Sequence, residues 1–167
     1  MKLTELNALE EASMKEELTR CNGSSKWVQS MILKAPYANM VELHEKADEC
    51  WDNCNNNDFL EAFTHHPKIG DVNSLKEKFA STASWSEGEQ SGVAVATEDI
   101  IKKLALLNED YYAKHGFIFI VCATGKTAGE MLEILEGRLP NSTEMEILQA
   151  AEEQRKITHL RINKLLS

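Results

Sequence analysis

Long apolar runs and excess positive charge are both missing from this sequence. No apolar stretch approaches the roughly 20 residues that a membrane-spanning helix needs. Lys and Arg number 18 against 27 Asp and Glu, a formal net charge of -9. An acidic chain repels the phosphates of nucleic acids and of anionic lipids. We therefore expect neither nucleic acid nor membrane as a partner, and an anionic small molecule would need a local basic anchor.

Cysteine is scarce, and its spacing gives no metal motif. None of the four cysteines forms a C-x-x-C pair. Cys50 and Cys54 share one face of a predicted helix, but zinc would need two more converging ligands. We interpret all four as buried free thiols in a reducing compartment. The N-terminal segment is typical of an acidic helix and lacks a signal-peptide core. These features predict a cytoplasmic protein without a metal site.

Proline and glycine are also few, with three and eight copies, and no linker or internal repeat interrupts the chain. We therefore expect one domain over residues 1–167. Apolar residues recur at helical spacing along most of the chain. The predicted helices cover Glu10–Cys21, Ser24 or Ser25 to before Pro36, Asn39 to the Asn55–Asn57 break, Asp58–Thr64, Ser74–Phe79, Ser86–His115, Thr127–Gly137 and Thr143–Leu166.

The apolar stretch Phe117–Ala123 is the exception to this helical pattern. Alone it is typical of a buried strand. No second strand is predicted, and an isolated strand cannot satisfy its backbone groups. We predict a buried extended connection whose free amides are available to bind a ligand. The expected fold is an all-α, single-domain helical bundle with one buried extended segment at about 117–123.

The first candidate for chemistry is His66, in the run His65-His66-Pro67-Lys68-Ile69-Gly70. Pro67 disfavours the α conformation at His66, so that residue should lie just past a helix C-terminus. The partial negative charge there favours the imidazolium by roughly 0.3–1 kcal/mol. Such a histidine can donate a proton or hold an anion. The alternative is a plain helix stop that carries surface histidines.

The second candidate is the run Ser86-Glu87-Gly88-Glu89-Gln90. Its S-x-x-E pattern predicts a capping box, and several other places in the chain carry the same pattern. Gly88 leaves room for another group to approach. Gln90 stands where a hydrophobic staple would place an apolar side chain. Glu89 should stay ionised, because a helix N-terminus favours negative charge.

The third candidate is Arg161, four residues from both Ile157 and Leu165 and therefore predicted on the apolar stripe of the last helix. A charge that faces the core needs a partner. The partner is either Glu89, in a structural ion pair, or a substrate carboxylate held by two hydrogen bonds. Arg155 is the rival, with less apolar neighbours. The remaining histidines are interpreted as solvated helix residues: His44, His115 and His159.

Taken in order, these pieces resemble the OHCU decarboxylase family. The matching features are His66-Pro67-x-Ile69-Gly70, Ser86-x-x-Glu89-Gln90, the apolar run before Gly125, Lys156 to Ile162, Leu6-Asn7, and the Trp27 helix followed by Pro36. The resemblance spans nearly the whole chain. The sequence departs from the family at His65, where a small residue is frequent, and at Lys68, where arginine is common.

This resemblance implies an all-α enzyme, usually a homodimer, that uses no metal or organic cofactor. The implied reaction of this carboxy-lyase is the decarboxylation of 2-oxo-4-hydroxy-4-carboxy-5-ureidoimidazoline (OHCU) to (S)-allantoin in urate degradation. That substrate is anionic and carries a carboxylate and a hydroxyl on one ring carbon. The adjacent C=N bond can accept the electrons that carbon dioxide leaves behind, so no cofactor is needed as an electron sink.

The resemblance also implies roles for individual residues. Arg161 anchors the anionic end of the substrate, and His66 hydrogen-bonds the reacting carbon's substituents and serves as the acid. Glu89 accepts hydrogen bonds from the hydroxyl or ureido groups and helps expel the carboxylate. The implied substrate-binding residues are Pro67, Ser86, Gln90, Ile118, Phe119, Ile120 and Val121. Whether His66 or Glu89 transfers the proton, whether His65 contributes, and whether the preceding hydrolase associates in trans stay open.

Two other functions fit the sequence less well. A non-catalytic helical module that binds an anionic metabolite or a partner protein would not need His66 and Glu89 together. A metal-dependent helical-bundle hydrolase would need a Glu-x-x-His pattern on paired helices, which the sequence lacks.

Overall fold

The computed structural model describes residues 1–67, 72–80 and 90–167. Those residues form helices and connections and contain no β-strand, which confirms the predicted all-α class. In chain order the helices are α1 (Leu3–Asn7), α2 (Glu11–Cys21), α3 (Ser25–Lys34), α4 (Met40–Asp52), α5 (Asn56–Thr64), α6 (Val72–Ala80), α7 (Gln90–His115), α8 (Ala128–Arg138) and α9 (Thr143–Leu165).

Local capping chemistry explains where several helices begin and end. The side chain of Ser24 accepts a hydrogen bond from the Trp27 amide at the start of α3. Asn39 caps α4 and Thr127 caps α8 in the same way. Each cap satisfies an amide that the first helical turn leaves without a partner. Gly116, with φ of 77°, ends α7 in the left-handed region that glycine enters without a steric penalty. These four boundaries confirm the predictions.

Helix α1 and the start of α5 differ from the predictions, and α6 begins at Val72, two residues earlier than predicted. Helix α1 was not predicted. Asn55 is the N-cap of α5 and forms a reciprocal capping box with Asp58, so it starts a helix as well as following one. The predicted turn at Pro67–Gly70 and the predicted helix start at Ser86 lie partly or wholly outside the described residues.

The chain divides into two compact units. The first unit comprises Met1–His66, Ile120–Cys122 and Ile147–Ser167, and the second comprises Pro67–Phe119 and Ala123–Glu146. The core of the first unit is built around Trp27 and Trp51. The Trp27 indole donates to the Ala47 carbonyl at 2.9 Å, and the Trp51 indole donates to the Ala151 carbonyl at 3.0 Å. Both rings therefore bury a large apolar area without leaving their N–H groups unsatisfied.

In the second unit, α7 packs against α6 and α8. Its buried Tyr111 donates to Glu146 at 2.6 Å, and Glu146 accepts a second bond from Arg138 at 2.8 Å. His115 is also buried, at 6% exposure, and its Nδ1 lies 2.9 Å from the Thr143 hydroxyl. The interpretation of His115 as a solvated residue is therefore wrong, because the end of α7 turns it inward.

The segment between α7 and α8 has no regular structure over residues 118–123, as predicted for an extended connection. Phe119 and Ile120 are 8% and 2% exposed, which confirms that its centre is buried. The Cys122 amide donates to Glu153 Oε2 at 2.8 Å. None of the helices in the described ranges is both long and apolar enough to cross a bilayer.

Candidate functional site

The end of α5 places His66 at the surface of the first unit. The helix closes at Thr64, His65 is its C-cap, and the His66 amide donates to the Phe63 carbonyl at 3.2 Å. His66 is half-buried, whereas His65 is exposed. The structure thus confirms the predicted position of His66 immediately after a helix C-terminus, and Pro67 follows it as an exposed residue.

Gly23 makes this position possible. A Cβ atom added to Gly23 would overlap the ring of His65. The chain therefore needs glycine here for close approach of the His65 side chain rather than for an unusual backbone angle. Sequence reasoning missed this residue, because nothing local connects Gly23 with a loop more than 40 positions later.

Arg161 reaches the same place from α9. Its Nη2 lies 3.4 Å from His66 Nδ1, and its Nη1 lies 3.4 Å from the Arg20 carbonyl oxygen. The prediction that Arg161 faces the core is wrong in detail: the buried face of α9 carries Gln154, Thr158 and Ile162, and Arg161 is half-buried beside it. Among the described residues, no carboxylate lies within 4.0 Å of Arg161.

Arg155 has a different environment. Its guanidinium pairs with Asp48 at 3.0 Å, with Asp52 at 2.5 Å and with Glu152 at 3.3 Å. Three carboxylates already satisfy this cation, so Arg155 is a structural ion-pair residue. Of the two rival arginines, Arg161 is the one whose guanidinium is directed at His66.

The two remaining histidines form a pair of their own. His44 and His159 stack with ring centroids 4.6 Å apart, and His159 Nε2 contacts Asp48 at 2.8 Å. Both rings are half-buried, so the interpretation as solvated helix residues is wrong for them as well. No group of three or more possible metal-ligating side chains occurs within the described ranges.

Gln154 contacts the other nitrogen of the His66 ring. Its Oε1 lies 2.5 Å from His66 Nε2, and the side chain is fully buried. Sequence reasoning missed Gln154. The signal was present, since Gln154 stands four residues before Thr158 on the face of α9 that packs inward. A buried glutamine at that spacing needs polar partners.

The charge state of His66 follows from these neighbours. Burial lowers the pKa of the imidazole below its ordinary value, the Arg161 guanidinium lowers it further, and the hydrogen bond with Gln154 opposes the shift. Desolvation thus opposes the imidazolium that the helix C-terminus is expected to favour, and the lowered pKa favours the uncharged ring at neutral pH. The nearby Cys21 is no rival nucleophile, because burial raises the pKa of its thiol to about 11.

The structure describes some of the other predicted site residues but not all of them. Ile120 and Val121 belong to the first unit, and Ile118 and Phe119 belong to the second. Gln90 is the first described residue of α7. Ser86 and Glu89 lie outside the described residues. Their roles stay predictions.

Three comparisons with known proteins bear on this site. The family model described as OHCU decarboxylase matches residues 7–163. The uric acid degradation bifunctional protein TTL of Arabidopsis thaliana is 38% identical over 155 residues, which is 91% of this chain and 47% of that protein. This chain thus spans about half the length of that relative.

Two solved structures are also similar to this chain. A structure of OHCU decarboxylase in the presence of (S)-allantoin is similar with a TM-score of 0.72 at 36% identity, and the match covers 90% of this chain and 97% of that chain. A structure of (S)-allantoin synthase has a TM-score of 0.69 at 17% identity over 99% of this chain and 54% of that chain. At that identity the second likeness concerns the fold alone.

Proposed function

Because this chain belongs to the OHCU decarboxylase family, we propose that it is a carboxy-lyase that converts OHCU into (S)-allantoin and carbon dioxide in urate degradation. The observation that carries the proposal is the contact of 3.4 Å between the Arg161 guanidinium and Nδ1 of His66. This contact places the Arg161 cation, which can bind an anionic substrate, beside the His66 imidazole, which can act as a neutral base.

The reaction needs one proton from solvent. When the bond between the ring carbon and the carboxylate breaks, its electron pair forms a double bond to the neighbouring carbon. The electrons of the adjacent C=N bond move to nitrogen, which takes up a proton. The resulting enol then loses its hydroxyl proton and gains a proton at the neighbouring carbon. The sum is substrate anion plus one proton to allantoin plus carbon dioxide.

Arg161 is proposed to bind the anionic end of the substrate. Within the described ranges, its two terminal nitrogens make only long contacts of 3.4 Å, with the Arg20 carbonyl oxygen and with His66. A carboxylate that accepted two parallel hydrogen bonds from the guanidinium would form a shorter and stronger pair than either. Arg161 would then fix the orientation of the carboxylate, which is what a decarboxylase without a cofactor must control.

His66 is proposed to move the hydroxyl proton. The neutral ring has a lone pair that accepts a hydrogen bond from the substrate hydroxyl. As the enol becomes a carbonyl, His66 takes that proton and becomes the acid that delivers it to the ring. His66 thus acts first as a base and then in the acid role that the family resemblance implies. Delivery to one face of the ring would produce the single enantiomer (S)-allantoin.

The remaining assignments follow from the family resemblance alone. Glu89 is proposed to accept hydrogen bonds from the hydroxyl or ureido groups and to help expel the carboxylate. The proposed substrate-binding residues are Pro67, Ser86, Gln90, Ile118, Phe119, Ile120 and Val121. We also propose that residues 1–167 form one decarboxylase domain, that the protein is a homodimer, and that it resides in the cytoplasm. Sedimentation of the purified chain would test the homodimer.

A circular dichroism time course tests the function. Urate oxidase and hydroxyisourate hydrolase generate the unstable substrate in the cuvette, with and without this protein. We expect the substrate signal to decay faster with the protein present and to give way to the signal of one allantoin enantiomer. Decay at the spontaneous rate into racemic, optically silent allantoin would contradict the proposal and favour a binding module without catalysis.

A further inference from the structure

A buried chain of polar side chains leads from the start of α3 to the ring of His66. Its first link is unambiguous, because the Ser24 backbone amide can only donate. That amide lies 3.0 Å from Asn22 Oδ1, so the oxygen of the Asn22 side chain faces Ser24 and its NH₂ group faces Thr158. The Asn22 Nδ2 donates to the Thr158 hydroxyl at 3.2 Å.

The second link fixes the orientation of Gln154. The Thr158 hydroxyl donates its hydrogen to the Gln154 backbone carbonyl at 2.9 Å. Its oxygen therefore accepts from both side-chain amides, from Asn22 and from Gln154 Nε2, the latter at 3.2 Å. With its NH₂ group turned toward Thr158, Gln154 presents its oxygen to His66.

The third link fixes the hydrogen on the imidazole. Since Gln154 Oε1 can only accept, His66 Nε2 must carry the hydrogen. On the opposite side of the ring, the Arg161 guanidinium can only donate, so Nδ1 must accept. The other tautomer would place two lone pairs against each other at Gln154 and two hydrogens against each other at Arg161.

We propose that Gln154, oriented by Thr158 and Asn22, is a positioning residue that holds His66 in its Nε2–H tautomer and so presents Nδ1 as the reactive atom. This inference deepens the proposed function and rests on it for the catalytic consequence. The three supporting side chains are 0–3% exposed, so water does not compete for their hydrogen bonds. Asn22, Gln154 and Thr158 are proposed to act through His66 and not by contact with the substrate.

Nitrogen NMR of the resting protein tests the tautomer without any substrate. In long-range proton–nitrogen spectra at pH 7.5, we expect Nε2 of His66 to give the shift of a protonated ring nitrogen and Nδ1 that of an unprotonated one. His66→Ala identifies the signals by their loss. An Nδ1–H tautomer, an imidazolium or an averaged mixture would overturn the proposal. A protein that shows the expected tautomer but never turns over OHCU would contradict the proposed function alone.

The variant Gln154→Met tests whether Gln154 sets the tautomer. Methionine has a similar volume but offers no carbonyl oxygen, so we expect the Nδ1–H form to become populated. A wrong tautomer should lower kcat at least about 10-fold with little change in KM. Gln149→Met, on the exposed face of the same helix, is the matched control and should leave the spectrum and the rate unchanged. An unchanged tautomer and rate in Gln154→Met would overturn the proposal.

Two further variants keep the test decisive if Gln154→Met does not fold. Thr158→Val removes the hydroxyl that orients the amide and should produce the same mixture of tautomers. Gln154→Glu keeps an acceptor at His66 and should restore the Nε2–H form. Its carboxylate should also move the acid limb of the pH–rate profile to higher pH, because a nearby negative charge favours the imidazolium. A purely structural role would leave the tautomer of Thr158→Val unchanged and the acid limb of Gln154→Glu unmoved, and either result would overturn the proposal.

Discussion

Arg161 Nη2 lies 3.4 Å from His66 Nδ1, although the two residues are 95 positions apart in the chain. Burial and the guanidinium both lower the pKa of the imidazole, which favours its uncharged form. An anionic substrate can therefore meet a cation and a neutral base side by side. The same cation would disfavour an imidazolium before the substrate arrives.

Replacing Arg161 by glutamine should weaken substrate binding. A charge-assisted hydrogen bond is worth about 1.5–3 kcal/mol, so KM for OHCU should rise about 10- to 100-fold. Arg155→Gln is the matched control on the same helix. Its ion pairs are with largely exposed carboxylates, so that variant should lose at most about 1 kcal/mol of stability and keep its KM. Steady-state kinetics on freshly generated OHCU checks both, and equal KM values in the two variants would contradict the assignment.

The stability of the protein should fall as the pH drops below about 6.5. The pKa of His66 is lowered in the folded state, so the unfolded chain binds more protons below that pH. His66 therefore contributes its full stabilisation at pH values above its pKa in the unfolded chain. This stabilisation is lost as the pH falls through the pKa of His66 in the folded protein. Urea unfolding between pH 5 and 8 checks this. The stability difference between wild type and His66→Ala should narrow toward acid pH, and a widening difference would show that the imidazolium is the favoured form.

Gly23→Ala should displace the His65–His66 turn. The added Cβ atom would overlap the His65 ring, and relieving such a clash costs typically about 1–3 kcal/mol. Thermal unfolding should show this loss, and the rate should fall because His66 moves with His65. The double variant Gly23→Ala with His65→Ala should recover most of the stability. If the double variant does not recover stability, overlap with the His65 ring is not the cause of the destabilisation in Gly23→Ala.

Glu153 should anchor the extended segment that follows α7. Its buried carboxylate accepts the Cys122 amide at 2.8 Å and pairs with Lys156 at 2.6 Å. Glu153→Ala would remove the carboxylate that accepts the buried Cys122 amide, at a cost of about 1–3 kcal/mol. Lys156→Ala should cost less than about 1 kcal/mol, because that side chain is 61% exposed. Urea unfolding and hydrogen exchange at Cys122 measure the two effects. Equal losses of stability in Glu153→Ala and Lys156→Ala would contradict the prediction that Glu153 contributes more than Lys156.

Local signals in the sequence predicted much of the fold. Ser24, Asn39 and Thr127 cap the helices that their side chains favour, and Gly116 ends α7 where a left-handed residue is needed. Each boundary depends on atoms within a few positions along the chain. Asn55 shows the limit of this reasoning, since an asparagine run predicts a helix end and a helix start equally well.

Contacts between distant segments could not be predicted. Gln154 meets His66 only after α5 and α9 have packed together, and no local pattern contains that pairing. The lowered pKa of His66 could not be predicted for the same reason, because the helix dipole is a local effect whereas burial depends on the tertiary structure. Apolar neighbours favoured Arg161 over Arg155 in the sequence, but the ion pairs of Arg155 with Asp48 and Asp52 became visible only in the tertiary structure.

The proposed role of His66 is tested by comparing His66→Ala with its neighbour His65→Ala in the circular dichroism assay. We expect both variants to fold, His65→Ala to retain most of its rate, and His66→Ala to lose about 10²- to 10⁴-fold in rate while its product becomes racemic. A folded His66→Ala variant that still makes (S)-allantoin at the wild-type rate would show that His66 does not move the proton, and an equal loss in His65→Ala would assign the role to the other ring.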